Sequence, residues 1–561
     1  MVTAIVLVVS TLPYLFDRWL QGASPLYGWY SWFAFNVTDN CVYLAWMRQY
    51  ADGAWFQRNL FTSEPQSGHM LNLFFLALGK IGGWTGLPLT LLYHVARLAA
   101  GAAFLTMVWR LAGMVFDARD RAVRPEGADT ARRIAFLTVA FGSGLGWVPG
   151  LWERGFAGPV DTWQPEAVSF LSIYLFPLFT VSLALMLGIL VNLLEAERTS
   201  SRWPAVRAGL CGFVLGNIHT YDVVTLTVIW LCYLAARAVR DRGLPRKAIG
   251  DALIAGAPTA LSTGYMLWVF RTETVFAQRV AVPTLSPDLR WVLLGFGLMT
   301  PLALVGAWGL VRRRTEPLTG TVGSGLAFLV IWAVANVAVA YLPVSFQRKM
   351  LMGAHVPIAL LAGAGLWRLT QGLARPVRPA ILVAAVAALS LTNVRFMLRD
   401  RGSLRHGGET VRAFMLPGER AALDWVRRNV ERDVIIQPLP WIAAGEDGRL
   451  VFADTTLACF APGLTGNAVH AGHWGETPSF GATMGEWVRF LSPGVEDAQR
   501  LEMLRRTGVR YLLFGQKRPE TRDERASAFL ARSPVAVVPS YLRRVDEACN
   551  EDVDVFEVEA P

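Results

Sequence analysis

The sequence predicts a polytopic α-helical membrane protein, with about eleven transmembrane helices followed by a C-terminal α/β soluble domain. Three observations point there. Of its 561 residues, 53% are hydrophobic and only 17% charged, against about a quarter charged in soluble domains. Trp291 to Val311, Thr321 to Leu342 and Met350 to Leu366 contain no Asp, Glu, Lys or Arg. Runs of about 17–25 apolar residues match the hydrocarbon core of a bilayer, whereas a soluble surface helix needs one polar face. Finally, the composition turns charged after Arg399.

The apolar segments place spans at about 2–20, 87–116, 133–150, 167–195, 204–219, 221–238, 249–270, 291–311, 321–342, 350–368 and 379–397. Val2 to Phe16 lacks a basic start and a small-residue cleavage site, so it reads as a retained first span rather than a signal peptide. Leu71–Leu78 is apolar but short, bounded by Pro65, Gly68 and Lys80, and reads as an interfacial helix.

The net charge of +10 does not imply a nucleic-acid partner, because the basic residues sit in clusters between apolar segments. Arg119, Arg121, Arg124, Arg132 and Arg133 form one cluster; Arg198, Arg202 and Arg207 a second; Arg237, Arg240, Arg242, Arg246 and Lys247 a third. Arg312, Arg313 and Arg314 follow, then Arg368, Arg375 and Arg378. These are alternate connections, and basic connections face the cytoplasm. The N-terminus is therefore expected inside. The connections 21–86, 151–166, the tight turn near 220, 271–290 and 343–349, and everything after 397, are expected outside.

Residues 1–397 thus form the expected membrane domain and 398–561 the outer domain. In the latter, Gly418 to Asn429 and Ala498–Thr507 have helical patterns. Val434–Gln437, Tyr511–Phe514 and Val553–Glu559 read as strands. The five cysteines show no short metal-binding spacing. A Cys459–Cys549 disulfide is compatible with an extracytoplasmic domain.

Ionisable groups within spans are functional candidates, because burying them in lipid is costly. His94 and Arg97 share one face of the second span. His219 and Asp222 lie where two spans meet. Arg348 and Lys349 open the tenth span, with His355 shortly after, and Arg395 ends the last. All seven histidines fall on or near the outer side: His69, His94, His219, His355, His406, His470 and His473. The first outer loop, Phe35 to Arg58, sets Asp39, Arg48, Asp52 and Arg58 among interfacial aromatics such as Tyr43. A carboxylate beside a lipid headgroup suits a general base for an acceptor hydroxyl. The cations Arg97, Arg348 and Lys349 suit a phosphate leaving group. His94, His219, Asp222, Tyr43, Glu64 and His473 are candidates for contacting substrate.

Plainer roles exist for each. Thr38-Asp39 is good N-cap chemistry. Arg97 could bond a carbonyl or Glu64. Arg348 and Lys349 could snorkel at the interface. His94 and the Asn217–Asp222 turn could be hydrogen-bonded bundle elements. His473, Trp474 and Glu476 could be a packed loop rather than the lining of an acceptor cleft.

A short first span, a long outer loop with an early Asp39, then Tyr43-Leu44-x-x-x-Arg48, Asp52-Gly53, an interfacial helix and a span with Arg97 near its start together resemble the GT-C superfamily of membrane glycosyltransferases. The resemblance implies a polyprenyl-phosphate or polyprenyl-pyrophosphate sugar donor, and a site on the outer face of a bacterial cytoplasmic membrane. It implies Asp39 as the base and Arg97 and Arg348 at the donor phosphate. The expected reaction is an inverting transfer of the sugar to an acceptor. Thr38-Asp39-Asn40 carries one acidic residue where many members pair two, so no DxD-type metal site and no cofactor is expected, and dependence on a divalent metal stays open. The rival classes are a transporter or flippase for a lipid-linked substrate, an O-antigen ligase or polymerase, and a membrane-anchored scaffold. The absence of an internal repeat and the one-sided polar residues weigh against transport.

Overall fold

The computed structural model describes residues 1–23, 28–116, 125–148, 158–312, 322–405, 413–444, 449–455, 457–515 and 539–559. Arg119, Arg121, Arg124, Arg313, Arg314 and His406 lie outside the described residues. The chain divides into two compact units.

The first unit comprises Met1–Thr11, His94–Trp268 and Pro283–Leu398. It is built almost wholly from apolar helices: α1 (Val2–Val9), α5 (Leu89–Phe116) from His94 onward, α6 (Pro125–Phe141), α7 (Ser169–Leu175), α8 (Pro177–Arg198), α9 (Trp203–Ile218), α10 (Tyr221–Asp241), most of α11 (Arg246–Thr272), α13 (Leu289–Phe296), α14 (Met299–Arg312), α15 (Val322–Val339), α16 (His355–Thr370), α17 (Arg378–Leu389) and the start of α18 (Leu391–Arg405). Among the described residues, six helical segments are long and apolar enough to cross a bilayer, or eight if two bent pairs each count as one. The chain is a multi-pass membrane protein.

Some expected spans are shorter or broken, each for a local reason. The helix expected over 133–150 ends at Phe141. The segment expected over 167–195 breaks at Phe176–Pro177. Pro177 has no N–H to donate and holds the preceding residue extended, at φ −132° and ψ 111°. The segment expected over 291–311 bends by 78° between α13 and α14. There Gly297 adopts φ 48° and ψ −128°, a region that favours glycine. A Cβ on Gly297 would also lie 2.7 Å from Leu145 N. Elsewhere helix backbones touch directly: a Cβ on Gly365 of α16 would meet Leu302 O of α14 at 1.9 Å.

The second unit comprises Leu12–Tyr93, Val269–Val282 and Arg399–Pro561. Its helices include α2 (Leu12–Leu20), α3 (Val37–Ala51), α4 (Leu73–Thr85), α12 (Thr274–Ala281), α19 (Pro417–Asn429), α20 (Leu457–Thr465), α21 (Phe480–Leu491) and α22 (Asp497–Thr507). Strand β1 (Trp29–Tyr30) pairs antiparallel with β2 (Phe414–Met415). Strands β3 (Ile435–Pro438), β6 (Val509–Gly515), β7 (Leu542–Arg544) and β8 (Val553–Val558) form one sheet in the order β3-β6-β8-β7. In it β3 runs parallel to β6 and the other pairs are antiparallel. Strands β4 (Trp441–Ala444) and β5 (Leu450–Asp454) form a separate antiparallel pair. Trp487, Leu504, Val509 and Leu512 are fully buried in the core beneath the larger sheet.

The apolar helix expected over 71–78 runs instead from Leu73 to Thr85, N-capped by Asn72, whose side chain accepts from Phe75 N. Lys80 does not end it. Its ammonium donates to Gly53 O at 2.8 Å and lies 4.4 Å from the Trp55 ring centre, so the charge is satisfied within the loop. Gly79 and Gly83 let α4 lie against α3, since a Cβ on either would meet the α3 backbone at 2.5 Å.

Cys459 and Cys549 are not joined; all five cysteines are in the thiol form in this structure. Cys549 Sγ instead receives the Val555 N–H at 3.3 Å.

Candidate functional site

Helix α3 begins where Asn36 turns the chain into the left-handed region, at φ 48° and ψ 51°. Asp39 therefore stands in the first helical turn and is not the N-cap, a correction to the reading of Thr38-Asp39 as a capping pair. An acidic side chain there is favoured by the exposed N–H groups and the helix dipole. Asn36 Nδ2 donates to Asp39 Oδ2.

The other carboxylate oxygen meets His473. The His473 Nε2 to Asp39 Oδ1 distance is 2.9 Å. On the far side of the ring, Gly475 N donates to His473 Nδ1 at 3.1 Å. Nδ1 is therefore the acceptor, the proton sits on Nε2, and Nε2–H donates to Asp39. His473 is 4% exposed and Asp39 30%: the imidazole is a buried prop and the carboxylate reaches solvent.

The loop carrying His473 is strapped to the first outer loop. Val469 N donates to Leu60 O at 2.8 Å. Thr477 Oγ1 donates to Phe61 O at 2.9 Å, and Asn59 Nδ2 to Glu476 O at 2.7 Å. Three residues beyond His473, the buried Glu476 side chain pairs with Arg279 of α12 at 2.6 Å. The Arg279 guanidinium lies 5.0 Å from the Trp46 ring centre, which adds a cation–π contact. One turn before α12's midpoint, Glu273 accepts from the backbone N–H of Ser67 and of His69, each at 3.0 Å. Its carboxylate also lies 3.2 Å from His69 Nδ1. Tyr43 is buried in α3 and stacks on Phe75 with ring centres 5.0 Å apart. Glu64 is exposed on the loop, with its backbone N–H donating to Thr62 Oγ1 at 3.1 Å.

In the first unit the expected residues fall into separate groups. Arg97 is fully buried and its guanidinium knits helices together. It donates to His94 Nδ1 at 3.2 Å, to Ser10 O and Oγ at 3.4 and 3.3 Å, to Ile173 O at 3.1 Å and to Thr11 Oγ1 at 2.9 Å. Such a network is a structural use of arginine's planar fork. His94 is one of its acceptors.

His219 and Asp222 pair with each other, Nδ1 to Oδ2 at 2.9 Å, at 8% and 0% exposure. Between them in sequence, Tyr221 accepts from Lys349 Nζ at 3.3 Å. Arg348 Nε lies 3.4 Å from Glu166 Oε1, and its guanidinium lies 5.1 Å from the Trp163 ring centre. Arg348 and Lys349 are thus neighbouring, half-buried cations, each placed against an aromatic ring. His355 bonds Ser169 Oγ and Gly142 O at 2.9 and 3.1 Å, a bridge within the helical bundle.

Among the described residues, no group of three His, Cys, Asp or Glu side chains stands together as a metal-ligand set. Arg279, Glu273 and Asn36 were not singled out from sequence. The density of charge in Arg271-Thr-Glu273 and Arg279, directly after an apolar helix, was the signal available.

Neither a family profile nor a characterised protein sequence matches this chain. Solved structures do. The chain is similar to the arabinofuranosyltransferase AftD from Mycobacteria, with a TM-score of 0.52 and 14% identity over 100% of this chain and 40% of that one. The chain thus spans about two fifths of AftD's length. It is also similar to ArnT, the aminoarabinose transferase, from Cupriavidus metallidurans, with a TM-score of 0.50 and 13% identity over 92% of each chain. The oligosaccharyltransferase of Archaeoglobus fulgidus, solved with zinc and sulfate, gives a TM-score of 0.50 and 13% identity over 91% of this chain and 67% of that one. These neighbours are GT-C glycosyltransferases, and the chain has their fold.

Proposed function

We propose that this protein is an inverting glycosyltransferase that moves a sugar from a polyprenyl-phosphate donor to an acceptor on the outer face of a bacterial cytoplasmic membrane. The observation that carries this reading is the Asp39–His473 contact at 2.9 Å. It is a carboxylate fixed by a neutral imidazole and still 30% exposed, on a chain with a GT-C fold. Eleven spans and an outer α/β domain over 398–561 complete the proposed topology, supported by the clustering of basic residues in alternate connections.

Asp39 takes the proton of the acceptor hydroxyl. The acceptor oxygen bonds to the anomeric carbon as that carbon's bond to the lipid phosphate oxygen breaks, and the phosphate leaves with the electron pair. One displacement inverts the anomeric centre. His473 touches neither sugar nor phosphate in this scheme; it positions Asp39 by donating from Nε2. Arg348 and Lys349 are assigned to the donor phosphate, because paired cations suit its charge. Arg97 is not carried into that role, since its donors serve the helix network. The single acidic residue of Thr38-Asp39-Asn40 does not form a DxD-type metal site.

The test is transfer of radiolabelled sugar from a polyprenyl-phosphate donor in membranes containing the wild type or Asp39→Asn. Loss of transfer with normal membrane levels supports the reading, and undiminished transfer removes Asp39 from the mechanism.

A further inference from the structure

Helix α3, which presents Asp39, also carries Cys41, and α20 carries Cys459; both thiols are buried, at 0% and 2% exposure. The two helices pack closely. A Cβ on Gly463 would lie 2.9 Å from Leu44 Cγ, and Arg48 Nε donates to Gly463 O at 3.2 Å. Cys41, Leu44 and Arg48 follow one another at steps of three and four, so they share a helix face. Cys459 and Gly463 are four apart and share a face of α20. One turn before the Leu44–Gly463 contact the thiols meet, Cys41 in hydrogen-bond contact with Cys459.

We propose that Cys41 and Cys459 are a disulfide-forming pair that cross-links the helix bearing Asp39 to α20. The step is thiol–disulfide exchange with an oxidised dithiol oxidoreductase of the extracytoplasmic space. Each cysteine gives up its S–H hydrogen, the oxidant's S–S bond is reduced to two thiols, and one S–S bond forms between Sγ of Cys41 and Sγ of Cys459. Burial pushes the Cys41 thiol well above its ordinary pKa, and the bond to Cys459 adds to this, so the packed thiol is a poor nucleophile. Exchange therefore belongs to folding, before α20 closes on α3. The inference rests on the proposed outer placement, since only there is a disulfide maintained.

The full chain is denatured without reductant, alkylated and mapped by mass spectrometry. The expected result is a Cys41–Cys459 cross-linked peptide, two hydrogens lighter than the separate peptides, that disappears after reduction. Cys211, Cys232 and Cys549 serve as alkylated controls. In parallel, a Ser67→Cys variant is treated in intact cells with a membrane-impermeant maleimide, which labels it if that loop faces outward. Outward labelling together with alkylated Cys41 and Cys459 overturns the disulfide and leaves the topology standing. Labelling only after permeabilisation overturns the outer placement and the disulfide with it.

Discussion

The Nε2 of His473 lies 2.9 Å from Oδ1 of Asp39, joining residues 434 positions apart. The bond has a direction, because Gly475 N occupies the other ring nitrogen, and it lies at the exposed end of a helix whose dipole favours the carboxylate. If Asp39 is the base, its removal costs a general-base contribution, about 100- to 10,000-fold in kcat. His473→Gln, which retains an N–H donor, should lose much less than His473→Ala. Steady-state kinetics on membranes matched for protein level check this ordering.

Arg279 and Glu476 are 2.6 Å apart but differently buried, at 29% and 5% exposure. After Glu476→Ala, Arg279 can turn toward water. After Arg279→Ala, Glu476 is left in a drier place. Arg279→Ala should therefore destabilise more, by an amount between the ~1 kcal/mol of a surface pair and the ~3–5 kcal/mol of a buried one. Apparent Tm in detergent, compared across the two variants, reads the difference.

Arg97 and Arg348 should separate by phenotype. Arg97→Ala leaves five acceptor contacts among the turn after α1, α5 and α7 without their donor and should cost at least about 3 kcal/mol of stability. The expected readout is a lower Tm and a lower membrane yield. Lys349→Ala should fold normally, whereas Arg348→Ala strands Glu166 at 7% exposure and should also lower Tm; both should raise KM for the lipid-phosphate donor about tenfold, the loss of one charge-assisted contact. Equal donor KM values in wild type and these variants would remove the pair from the donor site.

His470 offers a pH test. Its Nδ1 accepts the Trp487 indole N–H at 3.1 Å. Desolvation by burial, opposed by the charge of Glu486 and reinforced by that of Arg506, lowers its pKa to about 4, against about 6.5 when unfolded. The unfolded chain thus binds the proton first, so stability falls as pH drops from about 6.5 toward 4. His470→Gln, which keeps an acceptor for the indole, should flatten that segment of the Tm-versus-pH curve.

Much of this architecture was legible locally. The helix expected over 418–429 runs Pro417–Asn429, and the one expected over 498–507 runs Asp497–Thr507, closed by Gly508 at φ +69°. Amphipathic spacing and a glycine stop encode both within a dozen residues. What failed was whatever depended on a distant partner. Lys80 read as a helix terminator because nothing nearby announces that Gly53 O receives its ammonium. Arg97 could be read either as a phosphate ligand or as a partner for a carbonyl, because Ser10 and Ile173 become its acceptors only through packing. Cys459 was set against Cys549, the next cysteine along the chain, whereas α3 brings Cys41 to it. Asp39 and His473 were each visible as candidates, but no one-dimensional pattern pairs residues from opposite ends of a chain.

The second unit is assembled from three separated stretches of chain, and β1 finds its partner strand only at Phe414–Met415. During synthesis the ribosome delivers Asp39 early and, 434 residues later, His473. A truncated product ending before residue 470 would lack the imidazole that fixes Asp39, so on the proposed mechanism competence awaits synthesis of the His473 loop.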